Sequence, residues 1–394
     1  MSTLHRPRAI AAAGLTATAA LLLAACSGGS PATTSSAGSS PSTAATTSST
    51  PDAFLASVEA TVAQKEAPQT TWTGPTSGPV ASTGKKIVYL SGQESNSLDA
   101  AYGQYLQQVA TKIGWTVTII DGKGSPTGWL AGMNQAVALH PDGIIIFANA
   151  ASLQAPIAAA TAAHIPVVGL HAASVTGPTR GLYTNIQEDA TAIGTTEADY
   201  AIAASHGTAR AIIVTHNEYG IARIKSDAMR AEIAKCTGCT LLAFDNFPAA
   251  EASTRIAQLA TSWVSTYGTN FYAMTVGDND WDFAVPALSA GGVSPSGPNS
   301  PKLIGSDGIP SAYQRIRSGQ YEVATVPEPA QEEAYYAIYQ MNRAFHGLSP
   351  DTWFPPTYLV THANVNSEGG SQNVFDPSNN YQQHFVSLLT TGHS

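Results

Sequence analysis

The chain has 394 residues, of which 43% are hydrophobic and only 11% charged, and its formal net charge at pH 7 is −9. At roughly 150 residues per domain it is too long for one compact domain. The acidic balance and the lack of a basic run in the sequence argue against nucleic acid as a partner.

The first residues have the pattern of an export signal. Arg6 and Arg8 precede an apolar stretch at 9–25, which ends in Leu-Ala-Ala-Cys at 23–26. The apolar stretch is short for a membrane span, which needs ~20 residues. We predict a secretory signal peptide over 1–25. The motif around Cys26 resembles the lipobox of bacterial lipoproteins, and this resemblance implies that Cys26 is lipidated. The alternative is an ordinary signal peptide whose cleavage site contains a cysteine.

A low-complexity segment follows the signal. Residues 27–51 are almost wholly Ser, Thr, Ala, Gly and Pro, a composition that cannot offset the entropy cost of ordering. We interpret 26–84 as a lipidated cysteine followed by a flexible tether, with a short helix possible over 52–67. On this interpretation the folded body begins near Lys85.

The body alternates short apolar runs with longer amphipathic stretches. The runs are continuous rather than alternating, which is typical of parallel strands buried on both faces. The predicted strands are 87–90, 117–120, 144–147, 165–170, 211–214, 241–244, 271–276 and 303–305. The predicted helices are 98–113, 127–139, 152–163, 189–205, 221–235, 251–266, 281–290, 311–318 and 330–346. Repeated strand–helix units separated near 184–189 predict an α/β protein with two doubly wound parallel-sheet lobes.

Several motifs in this order resemble the type I periplasmic binding proteins, the family of the ribose and galactose receptors. They include Pro-Asp-Gly-Ile-Ile-Ile at 141–146, Ile-Gly-Ser-Asp-Gly at 304–308 and Thr-Val-Pro-Glu-Pro at 325–329. The resemblance covers roughly residues 85–365. It implies lobes joined by a hinge, with 85–188 plus 329–350 in one lobe and 189–328 plus 351–365 in the other. Residues 366–394 are then a tail, with a short helix near 381–389.

Ligands of open α/β sheets bind beyond the carboxyl ends of the strands, where this chain is unusually polar. The resemblance, applied position by position, implies a set of ligand-binding residues at these ends. They are Gln93, Asn96, His171, Tyr219, Arg223, Phe247, Asp280, Trp281, Asp307 and Glu328.

Each of these residues also has a purely structural interpretation. Asp280 is placed to cap the helix at 281, and Asp307 to organise the turn before Gly308. Trp281 suits a core position, Arg223 the surface of a helix, His171 a structural role and Glu328 the hinge itself. The register near 216–223 also leaves open that Lys225 takes the place of Arg223.

The charge of this set indicates the class of ligand. Asp280, Asp307 and Glu328 face Arg223 alone, and buried carboxylates are costly unless something satisfies them. A neutral sugar or polyol with many donors would do so, and we expect such a ligand, held by hinge closure and passed to an ABC transporter permease. The alternatives are a nucleoside, an amine or a signalling molecule, or a sensor that presents its ligand to a membrane receptor.

The sequence does not indicate an enzyme. We find no catalytic or nucleotide-binding motif, and the ten histidines lack metal-ligand spacing. We therefore expect no cofactor and no metal, and a monomer attached to the extracytoplasmic face of the membrane through its lipid.

Cys236 and Cys239 form a C-x-x-C motif. In the cytosol this motif would suggest redox chemistry or half of a zinc site. In an exported chain without a second pair, we predict a structural disulfide.

Overall fold

The computed structural model describes residues 51–394. The predicted signal peptide, Cys26 and the tether before residue 51 lie outside the described residues. Among the helices of the described part, none is long and apolar enough to cross a membrane.

The first lobe is built on a six-stranded sheet with the order β2-β1-β3-β4-β6-β5. Its strands are β1 (Lys86–Ser91), β2 (Thr116–Asp121), β3 (Gly143–Ile146), β4 (Val167–Leu170), β5 (Gly177–Thr179) and β6 (Leu182–Ile186). All are parallel except the edge strand β5, which pairs with β6 in the antiparallel direction. The sequence predicted β1 to β4 and missed β5 and β6.

The second lobe is also a six-stranded sheet, with the order β12-β11-β10-β9-β7-β8. Its strands are β7 (Arg210–Thr215), β8 (Thr240–Asn246), β9 (Tyr272–Thr275), β10 (Lys302–Asp307), β11 (Glu322–Pro327) and β12 (Val360–Thr361). Only β12 runs antiparallel to its neighbour. This confirms the predicted α/β class with two doubly wound lobes.

Helices cover both faces of each sheet. They are α1 (Pro51–Glu66), α2 (Ser97–Lys112), α3 (Pro126–Ala138), α4 (Gln154–Ala162), α5 (Ala190–Ala204), α6 (Gly220–Lys235), α7 (Ala252–Tyr267), α8 (Trp281–Ala290), α9 (Pro310–Ser318), α10 (Ala330–Phe345) and α11 (Tyr381–Thr391). The helices that border the sheets bury apolar side chains against the strands, so each lobe has a core on both sides of its strands. Helix α1 packs on α5 and helix α11 on α10.

The chain passes between the lobes more than once. It leaves the first sheet after β6 and enters α5 of the second lobe, so 187–189 form one crossing. It returns after β11 into α10, which packs on α2, so 328–329 form another. It crosses again between Asp351, which accepts a hydrogen bond from Tyr336 of α10, and β12.

The folded body begins well before Lys85. Helix α1 packs on α5, with Val58 only 3% exposed, and Lys65 accepts a backbone hydrogen bond from Leu359. Residues 67–84 then run onto the first lobe, where the Trp72 ring stacks on His384 at 4.8 Å. The short helix expected over 52–67 is present as α1. The expectation that this stretch and 67–84 form a flexible tether is wrong, because long-range aromatic and backbone contacts order them.

The C-terminal residues also belong to the folded body. Phe375 stacks on Tyr358 in the second lobe at 4.6 Å. Helix α11 then buries Phe385 and Leu388 against α10 in the first lobe. Both terminal segments thus contact both lobes beside the crossings.

A disulfide joins Cys236 and Cys239 between α6 and β8, as predicted. It lies at the amino end of β8, and the polar residues considered below lie at the carboxyl ends of the strands.

Candidate functional site

A buried lysine joins the last strands of the second lobe. The Nζ of Lys225, on α6, lies 3.3 Å from Asp307 Oδ1 and 3.4 Å from Glu328 Oε1. It also donates to Ser306 Oγ at 3.2 Å. Burial acts to lower the pKa of Lys225, but Asp307 and Glu328 outweigh it and raise that pKa. The ammonium is therefore charged at neutral pH and pairs with both carboxylates.

His171 provides the matching group on the first lobe. It follows β4 with a φ of 50°, and its side chain is 4% exposed. Its Nε2 lies 2.8 Å from Glu333 Oε2 and 3.4 Å from Glu328 Oε2. Burial alone would lower the pKa of His171, but Glu328 and Glu333 raise it to about 9. The imidazole is thus a cation at neutral pH.

Glu328 therefore connects the two lobes. One of its oxygens faces Lys225 of the second lobe and the other faces His171 of the first. Because it lies in the crossing at 328–329, it keeps both partners near the hinge. The structural alternative for Glu328, a role in the hinge, describes this position, and a contact with ligand is compatible with it.

Asp307 is the most accessible member of this cluster. It ends β10 with a φ of 93°, and its side chain is 17% exposed where that of Lys225 is 4% exposed. Burial raises the pKa of Asp307 to about 6, against the opposing effect of Lys225. At neutral pH it is an ionised hydrogen-bond acceptor on the inter-lobe surface.

A second polar pair lies at the same edge of the second sheet. His216 Nε2, after β7, lies 3.1 Å from Asp280 Oδ2, and the Thr275 hydroxyl donates to the same oxygen. His216 Nδ1 is 3.0 Å from the carbonyl oxygen of Phe247, whose ring packs edge-on at 5.0 Å. Asp280 makes no side-chain hydrogen bond to the α8 backbone, so the capping interpretation is wrong.

Two predicted ligand contacts lie elsewhere. Trp281 is fully buried in the core of the second lobe, and its Nε1 donates to the Ile304 carbonyl at 3.0 Å. Arg223 is exposed on α6, whereas Lys225 faces the sheet. The structure thus favours the core interpretation of Trp281 and the replacement of Arg223 by Lys225.

The loop after β1 holds two more of the predicted contacts. The Asn96 side chain caps α2 by accepting from the Leu98 amide at 2.8 Å. Gln93 is exposed and donates to Ser95 at 2.5 Å. Asp99, which sequence reasoning missed, accepts from the Gln93 amide at 2.7 Å. Burial raises the pKa of Asp99, and the charges of Asp307 and Glu328 raise it further.

The rims of the lobes touch on the side away from the hinge. The rings of Tyr219, on the second lobe, and Trp129, on the first, are 5.8 Å apart. Asn149 donates to the Glu218 carbonyl at 3.4 Å. Together with the cluster at Glu328, these contacts join the two lobes both at the hinge and at their rims.

Sequence reasoning also missed two residues that orient His171. Tyr102, on α2, lies 3.2 Å from His171 Nε2 and donates to Glu333 at the start of α10. Both come from helices rather than from strand ends, so the rule that inspects strand ends overlooked them. Among the described residues, no group of His, Cys, Asp and Glu has the arrangement of a metal site.

Comparison with known protein families matches residues 87–348 to the periplasmic binding protein domain. The chain belongs to the periplasmic binding protein family. No curated protein matches this binding protein by sequence.

Solved structures share its fold. A galactofuranose-binding protein has a TM-score of 0.64 and 15% identity, and the match covers 74% of this binding protein and 97% of that chain. The Caulobacter myo-inositol-binding protein has a TM-score of 0.64 and 18% identity, covering 75% and 100%. The periplasmic ribose ABC transporter protein of Conexibacter woesei has a TM-score of 0.60 and 21% identity, covering 73% and 96%. These likenesses confirm the type I two-lobed fold.

Proposed function

We propose that this protein is an extracytoplasmic solute-binding lipoprotein that captures a neutral sugar or polyol between its lobes. The observation that carries the proposal is the convergence of His171, Glu328 and Lys225 from both lobes and the hinge on one buried cluster. A ligand that contacts these groups stabilises the closed form and is released when the lobes separate.

The charges of the cluster favour a neutral ligand. Lys225 is already neutralised by Asp307 and Glu328, and His171 by Glu333. An anion would approach these carboxylates without a free cation to meet it. Hydroxyl groups can both donate to carboxylates and accept from an ammonium, and such charge-assisted hydrogen bonds are about twice as strong as neutral ones.

The export signal and Cys26 support a lipid-anchored position outside the cytoplasm, and the family supports delivery to an ABC transporter permease. The similar structures include proteins whose names state galactofuranose, myo-inositol and ribose, which supports a sugar or polyol as the ligand here.

The test is a thermal-shift screen of the purified protein against sugars, polyols, nucleosides, amines and organic anions, followed by calorimetry. A ligand stabilises the fold in proportion to the logarithm of its excess over Kd. We expect neutral sugars or polyols to raise Tm. Tight binding of an anion with no response to sugars would contradict the proposal.

A further inference from the structure

The turn after β10 positions the Asp307 carboxylate, and its backbone conformation must be stabilised by neighbouring groups. Asp307 has a φ of 93° and Gly308 a φ of 69°, so two successive residues take left-handed backbone conformations. Such conformations cost free energy at a non-glycine residue and persist only where the surroundings hold them.

Asp278 stabilises this turn through hydrogen bonds. It is fully buried in the short turn after β9, and its Oδ2 accepts from the Gly308 amide and from the Thr325 hydroxyl, both at 2.7 Å. It lies so close to β10 that a Cβ at Gly305 would be 2.0 Å from its Oδ1. Asp278 thus links three elements: β9, the turn that follows β10, and β11.

The other oxygen of Asp278 faces a second carboxyl group. Asp278 Oδ1 and Glu322 Oε1 are buried, and no N–H or O–H donor of the described residues reaches either atom. Arg315 lies beside both groups: its Nε donates to Glu322 Oε2, and its Nη2 donates to the backbone carbonyl oxygen of Asp278. Two buried carboxylate oxygens without donors are costly, and a proton on one of the two carboxyl groups would relieve that cost.

The surroundings decide which residue keeps the proton. Glu322 Oε2 accepts from Arg315 Nε at 2.5 Å, which favours the carboxylate form of Glu322. Asp278 has no cation within ion-pair distance among the described residues. Burial raises the pKa of Asp278 well above its usual range, and the neighbouring Glu322 charge raises it further.

We propose that Asp278 is a positioning residue of the binding site: as the proton-carrying member of a carboxyl pair with Glu322, it holds the Asp307–Gly308 turn against Lys225. This inference rests on the proposed function. In this role Asp278 acts through neutral hydrogen bonds and does not touch the ligand.

Two substitutions of Asp278 test this role. In D278N the amide oxygen can accept from Gly308 and Thr325, and the amide nitrogen can donate to Glu322. In D278A all of these hydrogen bonds are lost. We expect D278N to bind sugar within about threefold of the wild type and D278A to bind at least about tenfold more weakly, as expected for lost buried hydrogen bonds.

Binding is measured on the full chain by calorimetry, with D-ribose, myo-inositol and L-arabinose as probes. L288A, which removes buried apolar contacts from the same lobe, controls for lowered stability and is expected to keep wild-type affinity. Equal loss of affinity in D278N and D278A, or wild-type affinity in D278A, would overturn the proposal.

Infrared difference spectroscopy tests the proton without any ligand. The wild type minus D278N spectrum at pH 7 should show a protonated carboxylic acid band that shifts in D₂O. D282N, which alters a partly exposed carboxylate bound to the same Arg315, should remove only an ionised carboxylate band. An ionised band lost in D278N overturns the proposal, even if D278A does not fold. If no sugar or polyol of the thermal-shift screen binds the wild type, the proposed function fails, and this measurement still decides the protonation of the pair.

Discussion

Lys225 and Asp307 form an ion pair of 3.3 Å between α6 and the end of β10, on the face of the second lobe that meets the first. The lysine side chain is almost entirely buried, so solvent screens this pair far less than a surface pair. The pair therefore bears on stability as well as on binding.

Replacement of Lys225 by methionine should destabilise the protein and impair binding. The change leaves the Asp307 carboxylate buried without its cation and Glu328 with His171 alone, and breaking a buried pair typically costs about 3–5 kcal/mol. We expect K225M to lower the free energy of unfolding in urea by about 3 kcal/mol and to weaken sugar binding at least tenfold, about 1.4 kcal/mol.

R223M is the matched control, because Arg223 lies two positions away on the exposed side of α6. We expect little change in stability, within about 0.5 kcal/mol, and no change in affinity. A loss of binding in R223M with normal binding in K225M would show that the sequence-based choice of Arg223 was right after all.

The ionisation of His171 should make stability fall in mildly alkaline solution. Its pKa is raised from 6.5 to about 9, so the folded state binds more protons than the unfolded state between these values. This stabilisation is fully present below pH 6.5 and is lost as the pH rises through 9, and it is at most on the order of 3 kcal/mol.

Other buried groups titrate in the same pH range; the pKa of Asp199, for example, is raised to about 7. Comparison of the wild type with H171Q isolates the contribution of His171. The unfolding free energy of each protein is measured by urea denaturation from pH 6 to pH 10. The wild type should be the more stable at pH 6, and the difference should shrink by pH 10. A constant difference over this range would mean that His171 is not charged in the folded state.

The disulfide between Cys236 and Cys239 should contribute modestly to stability and not to binding. It closes a loop with a sequence separation of 3, for which the chain-entropy model gives at most ~2 kcal/mol. We expect the double variant C236S/C239S to have a slightly lower Tm and unchanged sugar affinity. A large loss of affinity in this variant would show that the turn is coupled to the cleft.

Apolar runs in the sequence predicted the interior strands of both sheets, because strands buried on both faces must be continuously apolar. The segment Leu182–Ile186 was missed since Tyr183, Thr184 and Asn185 interrupt its apolar pattern. Residues 67–84 show no periodicity, and they are ordered by contacts such as that of Trp72 with Phe385, far away in the sequence. Local patterns carry no information about such pairs.

The sequence predicted the site residues that follow the ends of strands. Helical spacing would have corrected the two wrong assignments, Arg223 and Trp281. Lys225 lies on the buried face of α6 with Ala222 and Met229, at i−3 and i+4, a pattern that excludes Arg223. Trp281 likewise shares a face with Ala284 and Leu288 and belongs to the core. The contacts of His171 with Tyr102 and Glu333 depend on the packing of α2 against α10, which no local sequence pattern reveals.

The N-terminal segment gives a last prediction, because it ties α1 of the second lobe to the first lobe. Trp72 stacks on His384, packs edge-on against Phe385 at 5.1 Å, and lies beside Trp353. W72A should therefore lower the free energy of unfolding in urea by about 2 kcal/mol, less than the 3–5 kcal/mol of a fully buried tryptophan. V80A, in the same segment, changes a side chain that is 49% exposed and should have an effect below about 0.5 kcal/mol. If W72A lowers the free energy of unfolding no more than V80A does, residues 67–84 do not dock on the first lobe. The interpretation of this stretch as a flexible tether would then be right.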